Sequence, residues 1–237
     1  MVNYKKDKPH FSIIKNLILI IFALIAIIGI YFVKKISAEN NIRSLAVQIA
    51  KYDSALNSFT QKYHALPGDI QETIDYGITK ENTGGNGDNI ITDALKKNLQ
   101  ANGEITKFWL HLSQSKMIDE NYDGLEDENA KVGNTFPLSK VGKKIGILSF
   151  SAEGKTFYQI GFNFSDSKRI HMSNRSLKSE EAFLLDQKID DGEPYKGRIM
   201  AAGGTSLNII KNDECVKFSQ YNRSIQTPSC QLRIEAR

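Results

Sequence analysis

The sequence contains little cysteine, histidine, proline or tryptophan, with 2, 4, 5 and 1 residues respectively among 237. Two cysteines exclude a disulfide-dense scaffold, and without clustered cysteine or histidine there is no zinc-binding pattern. The chain also lacks G-x-S-x-G, H-E-x-x-H and reactive-thiol motifs, so no catalytic constellation is predicted. The formal net charge is only +4 and the basic residues are scattered, which argues against a nucleic-acid-binding surface.

What the sequence does contain is one intensely apolar stretch near its start. Residues 17–33 carry no charge and would span about 26 Å as a helix, at about 1.5 Å per residue. Extending the stretch back to residue 13 gives about 31 Å, close to the ~30 Å hydrocarbon core of a bilayer. Lys15 falls inside this extension, where its amino group can reach the headgroups. We predict a single transmembrane segment over residues 11–35, with a buried core helix as the alternative.

The flanking charges and the cysteines predict the orientation of this segment. Basic residues are slightly more abundant before the span than after it, so the tail at residues 1–10 is expected in the cytoplasm. The remaining chain would then lie in the periplasm, where Cys215 and Cys230 are expected to form a disulfide rather than remain two buried thiols. A cleavable signal peptide ending at Ser37-Ala38 is the competing interpretation. The basic residues concerned are Lys5, Lys6, Lys8 and Lys15 before the span, and Lys34, Lys35 and Arg43 after it.

A helical pattern continues beyond the apolar stretch. Seven apolar residues recur at intervals of three and four, which places them on one face of an α-helix. The helix is expected to end at Leu66-Pro67-Gly68-Asp69, because a residue before proline disfavours helical geometry. We predict one helix from about residue 12 to about residue 64, whose periplasmic part at residues 36–66 packs this stripe on a sheet; a coiled coil is the alternative. The stripe consists of Ile42, Leu45, Ile49, Tyr52, Leu56, Phe59 and Tyr63.

Residues 67–237 are predicted to form one globular periplasmic domain. The predicted fold class is α+β, with the long helix packed on a small antiparallel sheet. A hairpin turn at Ala152-Glu153-Gly154-Lys155 joins two strand-like segments. Residues 119–130 begin like a calcium-binding loop, but Ala130 stands where a bidentate glutamate is needed, so an acidic turn is the alternative. No metal or other cofactor is assigned. The predicted strands cover residues 145–150, 156–164, 198–202, 215–219 and 230–235, and the predicted helices cover residues 104–117 and 179–186.

Five segments carry a resemblance to a known family. Residues 10–15, HFSIIK, precede the apolar run; residues 59–69 are FTQKYHALPGD; and residues 185–194 are LDQKIDDGEP. The first is similar to the Gly-Phe-Ser/Thr-Leu-Ile-Glu start of type IV pilin-like proteins, the pseudopilins and minor pilins of bacterial envelope machines. The other two of these resemble the F-x-x-K-Y-x-A-L-P-G-D and D-x-K-I-D-D-G-x-P segments of one branch of that family. Residues 109–112, WLHL, and residues 118–124, IDENYDG, are similar to the same branch. The similarity extends from residue 10 to about residue 200, and it implies the pilin-like fold.

Two positions differ from the family pattern. His10 stands where the family has glycine before the cleaved bond, so the His10–Phe11 bond is expected to resist the prepilin peptidase. Lys15 stands where the family has a glutamate that is thought to neutralise a neighbour's N-terminal amine. A lysine cannot do this, and two cations close together in lipid repel each other. The resemblance therefore implies a non-cleaved, membrane-anchored relative rather than a major filament subunit.

We therefore expect a structural protein rather than an enzyme, namely a pilin-like inner-membrane subunit of a type II secretion or type IV pilus-like assembly. The expected partners are other pilin-like subunits, inner-membrane assembly proteins and the lipid bilayer, with no nucleic acid. One alternative is a membrane-tethered periplasmic binding or adhesion module that does not assemble into filaments. Another is a periplasmic enzyme on a signal anchor.

Overall fold

The computed structural model describes residues 9–73, 77–78, 84–92, 101–141, 145–164, 170–171, 175–202 and 213–237. Within these ranges the fold is α+β, with a long N-terminal helix and a small antiparallel sheet, as predicted. The helices are α1 (Pro9–Tyr63), α2 (Glu104–Gln114) and α3 (Ser179–Ile189). The strands are β1 (Gly146–Ala152), β2 (Lys155–Phe164), β3 (Ile170–His171), β4 (Ile199–Ala202), β5 (Val216–Lys217), β6 (Gln220–Tyr221) and β7 (Gln231–Glu235).

The chain divides into two compact units, Met1–Asn40 and Asn41–Arg237, and helix α1 contributes residues to both. The second unit therefore combines the last part of α1 with the globular domain. Helix α1 ends where the sequence suggested. His64 adopts a left-handed backbone conformation with φ 54°, and its N–H still bonds the carbonyl of Thr60 at 2.9 Å. A left-handed residue just after the last turn is a common helix terminator, and Pro67 follows shortly after it.

The main sheet is built on the predicted hairpin. Strands β1 and β2 pair from Gly146 to Ala152, and the two turn residues, Glu153 and Gly154, both have positive φ. Two-residue turns of this handedness match the twist of antiparallel strands. Strand β7 lies between β2 and β4, which gives the order β1-β2-β7-β4, and β3 pairs with the far end of β2. The C-terminal strand is therefore a central strand of the sheet.

One predicted strand is wrong. Residues 215–219 do not form a single strand, because the chain reverses at Phe218 and Ser219, whose φ angles are 52° and 59°. The result is a small separate hairpin in which β5 pairs with β6. Such turns usually carry asparagine or glycine, and the Phe-Ser pair offers no turn signal of that kind. The sequence pattern therefore missed this reversal.

The two short helices differ slightly from their predicted limits. Helix α2 ends at Gln114 rather than at residue 117, because Lys116 turns left-handed with φ 57°. Helix α3 continues to Ile189. Its first turn is capped by the carboxylate of Glu181, which accepts the N–H of Lys178 at 2.9 Å. Ser179 instead donates its hydroxyl to the carbonyl of Cys215 at 2.7 Å, which ties α3 to the C-terminal segment.

The core lies between α1, α2 and the sheet. The Tyr52 ring of α1 meets the Trp109 ring of α2 edge-on, with 4.8 Å between centroids, and lies 6.2 Å from the Tyr158 ring of β2. All three side chains are fully buried. Every residue of β1 is also buried, so both faces of that strand are covered. Large aromatic side chains at this junction bury the most apolar area per residue and so fix α1 against the sheet.

Candidate functional site: the apolar part of helix α1

The first part of α1 is apolar on all sides and exposed on all sides. Its large apolar residues between positions 14 and 33 are 47–67% exposed. A helix that is hydrophobic all round belongs in an apolar medium. Residues 14–33 span about 30 Å at about 1.5 Å per residue, which matches the hydrocarbon thickness of a bilayer. Among the described residues this is the one helix long and apolar enough to cross a membrane, a property that it shares with secretion signals.

The charged residues near this stretch lie at its two ends. Lys15 lies in the second turn of α1, is exposed, and makes no ion pair with any described residue. Lys34 and Lys35 follow the stretch, and both are exposed. His10 and Phe11 lie in the first turn of the same helix, whereas Lys5, Lys6 and Lys8 lie outside the described residues. Lysine residues thus lie at both ends of the apolar surface. In a membrane, side chains at these positions could reach the lipid headgroups.

The second part of α1 is different, because one of its faces is covered. All seven residues of the stripe from Ile42 to Tyr63 are between 0% and 6% exposed. A polar residue on the same face, Gln48, is also buried and bonds the backbone on both sides of Ser139. Its amide donates to the carbonyl of Leu138 at 3.0 Å, and its oxygen accepts the N–H of Lys140 at 3.2 Å. This part of α1 is therefore integral to the second unit.

A buried ion pair joins this part of α1 to the sheet. The Arg198 guanidinium donates to both carboxylate oxygens of Asp53 at 2.7 and 2.6 Å, and also to the carbonyl of Glu235 at 2.6 Å. The backbone N–H of Arg237 donates to the same carboxylate at 3.1 Å. Burial raises the pKa of Asp53, while the charge of Arg198 opposes that change. No local sequence pattern indicates this pair, since the two residues are 145 positions apart.

The turn after α1 contains the Leu66-Pro67-Gly68-Asp69 segment, and its contacts explain why glycine and aspartate stand at positions 68 and 69. Gly68 has φ +90°, and a Cβ there would lie 2.5 Å from the carbonyl oxygen of Glu104, so no other residue fits. Its N–H donates to Nδ1 of the buried His111 at 2.8 Å. The Asp69 carboxylate accepts three backbone N–H groups, from residues 87, 88 and 89, at 2.7–3.1 Å. The segment therefore connects α1 and α2 to the loop at residues 84–92.

The predicted disulfide is present. Cys215 and Cys230 are bonded, and they are 15 positions apart in the sequence. The N–H of Cys230 also donates to the carbonyl of Leu177 at 2.9 Å, just before α3. The bridge thus closes a loop that contains the β5–β6 hairpin and holds it beside α3. Such bonds persist in oxidising compartments.

Among the residues that the structure describes, two groups of carboxylates bring ligand-type oxygens within 4.8 Å of one another: Asp69, Asp88 and Glu104; and Asp186, Asp190 and Asp191. In both groups the oxygens already accept hydrogen bonds from the chain. Glu104 accepts the N–H groups of residues 86 and 92, and Asp190 accepts that of Ile199 at 2.7 Å. These carboxylates therefore stabilise loops by capping backbone donors.

Neither group includes a residue of the acidic segment 119–130. Asp119 and Glu120 instead pair with Lys51 of α1 at 2.9 and 3.0 Å. Asp123 accepts the hydroxyl of Thr135 at 2.8 Å, and Asp127 begins a short 3-10 helix, Asp127–Asn129. The carboxylates of this segment serve separate local contacts, which is the arrangement of a solvated acidic turn.

The fold and the exposed helix thus define the class of this protein, an α+β protein with one candidate membrane span. Comparison with known proteins adds no relative: no family model, no curated protein sequence and no solved structure matches the chain.

Proposed function

We propose that this protein is a pilin-like subunit held in the bacterial inner membrane by the first part of α1 and belonging to a type II secretion or type IV pilus-like assembly. The observation that supports this role best is the contrast within one helix. Residues 14–33 are apolar and exposed all round, whereas residues 42–63 bury a single stripe in a domain with an antiparallel sheet. That combination is the one implied by the resemblance in residues 10–15, 59–69 and 185–194.

The proposed activity is non-covalent. In lipid, apolar helices gain little from the hydrophobic effect and associate through close packing and interhelical polar contacts. Lys15 is the polar group near the start of the apolar surface, and it is exposed. Two copies of this chain side by side would bring two lysines together in a region where charges are expensive. The favoured neighbour is therefore a different pilin-like helix that carries a carboxylate at the same depth.

The proposed orientation places residues 1–10 in the cytoplasm and residues 36–237 in the periplasm. The Cys215–Cys230 bond supports it, because disulfides persist in the periplasm and are rare in the cytoplasm. The lysines before the span support it through the positive-inside rule. The uninterrupted helix around Ser37 and Ala38 supports retention of the segment as an anchor, in preference to its removal as a signal peptide.

The second candidate function is a membrane-tethered periplasmic binding module that does not assemble. The observation in its favour is Lys15 itself, because the family's glutamate, which assists assembly, is missing. The two candidates share the anchor and the orientation, so only the presence of neighbouring helices separates them.

Cysteine crosslinking in intact cells tests the proposal. Single cysteines would be placed around one turn of α1, at Ile18, Leu19, Ile20 and Ile21, which are all 47–57% exposed and point in different directions. We expect crosslinks to another pilin-like protein on one face of the helix, and loss of those crosslinks with Lys15→Ala. Gln61→Cys, on an exposed position of the domain part of α1, is the control for random collision. If none of the cysteine positions gave a crosslink, membership of an assembly would be rejected, and the membrane-tethered binding module would be the remaining candidate.

Two further measurements check the anchor itself. A reporter that is active only in the periplasm should be active when fused after Arg237, and activity of a cytoplasmic reporter there would reverse the orientation. Mass spectrometry of the membrane-extracted protein should find residues 1–10 attached. A first residue at Phe11 would show that the peptidase accepts His10, and a first residue at Glu39 would show a removed signal peptide.

A further inference from the structure

A cleft of about 460 Å³ lies beside the β5–β6 hairpin, within the ~300–1,000 Å³ range of small-ligand sites. Its walls come from α3, from the turn after α3 at residues 192–194, and from the hairpin. Three aromatic side chains line it: Phe183, Phe218 and Tyr221. The membrane-anchoring role proposed above uses none of these residues, so the cleft calls for a separate explanation.

Two of the rings are held firmly. The Tyr221 hydroxyl donates to the buried carboxylate of Asp186 at 2.5 Å. Its ring meets the Phe183 ring edge-on, with 6.0 Å between centroids. The Arg223 guanidinium lies 4.3 Å from the Phe183 centroid and forms an ion pair with Glu180. Tyr221 is only 7% exposed and the Arg223 guanidinium lies over the Phe183 ring, so these two rings form a fixed support and Phe218 supplies the open aromatic face of the cleft.

The third ring is presented to solvent at a conformational cost. Phe218 is 81% exposed and occupies the turn of the hairpin with φ 52°. A residue with a side chain is disfavoured in this left-handed region, because its Cβ comes too close to the following carbonyl oxygen. The disulfide at Cys215 and the bond from Ser179 to the carbonyl of Cys215 anchor the base of the hairpin. Strain of this kind, held by surrounding structure, tends to occur at binding sites.

The two charged residues that line the cleft, Glu193 and Arg223, are each paired within the protein, and the neighbouring Lys217, outside the lining, places its ammonium over the Phe218 ring at 5.5 Å from the centroid. Arg223 pairs with Glu180, and Glu193 pairs with Lys196 at 2.5 Å. The remaining polar side chains on the described walls are the exposed, uncharged Ser219 and Gln220. A charged ligand would lose its hydration without gaining an unpaired counter-charge from the residues that line the cleft. The cleft therefore favours an uncharged ligand that has flat apolar faces for the rings and hydroxyl groups for Ser219 and Gln220.

We propose that this cleft binds neutral sugar units of a polysaccharide. A pyranose ring presents C–H groups on its faces and hydroxyls on its edge, which matches the exposed Phe218 ring beside the hydroxyl of Ser219 and the amide of Gln220. A proline-rich peptide would also stack on aromatic rings, but its backbone carbonyls need donors along its whole length. Here the uncharged side-chain donors on the described walls are those of two adjacent residues, Ser219 and Gln220, and the Arg223 guanidinium already donates to Glu180. The sugar is thus the better match.

The test uses the full chain in phospholipid nanodiscs without glycolipid or sugar-headed detergent. Chitotetraose, cellotetraose and maltotetraose are the neutral probes, with tetragalacturonate and a decaproline peptide as competitors. Calorimetry would give the affinity, and saturation-transfer NMR would show which ligand protons touch the protein. We expect a neutral tetrasaccharide to bind, with its ring C–H protons receiving the strongest saturation. The protein has a single tryptophan, Trp109, which is buried, so tryptophan fluorescence would not report on this site.

Phe218→Gly is the decisive variant, because glycine adopts positive φ freely and the hairpin should fold at least as well. We expect it to weaken sugar binding at least tenfold. Leu125→Ala is the matched control, since Leu125 is also an exposed apolar residue but lies outside the cleft, and it should bind like the wild type. Absence of binding by every neutral probe at millimolar concentration, tighter binding of either competitor, or equal weakening by Leu125→Ala would each overturn the proposal. None of these outcomes bears on the membrane anchor.

Discussion

Replacing Phe59 with alanine should strongly destabilise the second unit. Phe59 belongs to the stripe on α1 and is fully buried. Its ring lies 4.5 Å from that of Tyr63 and stacks near-parallel to the His111 ring of α2 at 6.3 Å. Removing a buried phenylalanine ring costs about 3–5 kcal/mol, because apolar burial is lost and a cavity remains. For a unit of about 200 residues, each kcal/mol corresponds to roughly 2–4 °C in melting temperature. The expected drop is thus about 10 °C.

The assay is thermal unfolding of the full chain in detergent micelles. The fluorescence of Trp109 is a direct probe. Trp109 is the single tryptophan of the protein, and its ring packs edge-on against Tyr52 of α1, the helix that carries Phe59. Phe59→Leu should lower the melting temperature much less than Phe59→Ala, since leucine keeps most of the buried volume. Gln61→Ala is the matched control: Gln61 lies two positions away on the exposed side of α1. Exposed substitutions typically change stability by less than about 0.5 kcal/mol.

The result that would refute this reasoning is an equal, small shift for Phe59→Ala and Gln61→Ala. It would mean that residues 41–63 are not packed in the domain in solution. The buried stripe would then be no part of the core, and a free stalk or coiled coil would replace the pilin-like arrangement.

Three further predictions concern the second unit. Replacing both cysteines with serine should lower its stability by about 3 kcal/mol, the loop-closure value for a 15-residue separation, and non-reducing peptide mapping of the wild type should recover the linked pair. Arg198→Ala should lower the free energy of unfolding by about 3–5 kcal/mol, because it leaves the largely buried Asp53 carboxylate without its ion-pair partner. The double variant Asp53→Leu/Arg198→Met should lose less stability than the sum of the losses in its two single variants, and strict additivity would contradict the coupling. Burial raises the pKa of Asp186 to about 6, so the folded protein holds a proton that the unfolded chain releases above about pH 4. Stability should therefore fall as pH rises from about 4 to 6, by on the order of 2 kcal/mol, and denaturant titrations of Asp186→Asn should show a flatter dependence over that window than the wild type.

Periodic and local features of this protein could be predicted from the sequence because a single chain segment determines them. The exposed apolar part of α1 follows from an uninterrupted run of apolar residues. The end of α1 near His64 follows from Pro67, and the β1–β2 hairpin follows from Gly154 between two β-rich segments. With only two cysteines, the disulfide has one possible intramolecular pairing. In each case short-range sterics or simple counting decides the outcome.

Other features depend on contacts between distant segments, and only the tertiary structure decides them. Strand β7 lies between β2 and β4, although β4 precedes it by about 30 residues, and no local pattern specifies that order. The Asp53–Arg198 pair exists because this sheet order brings the start of β4 to the side of α1. The reversal at Phe218 also goes against local preference, since its residues disfavour positive φ and the anchored loop imposes it. The cleft beside that turn consequently appears only once α3, the turn after it and the hairpin are assembled.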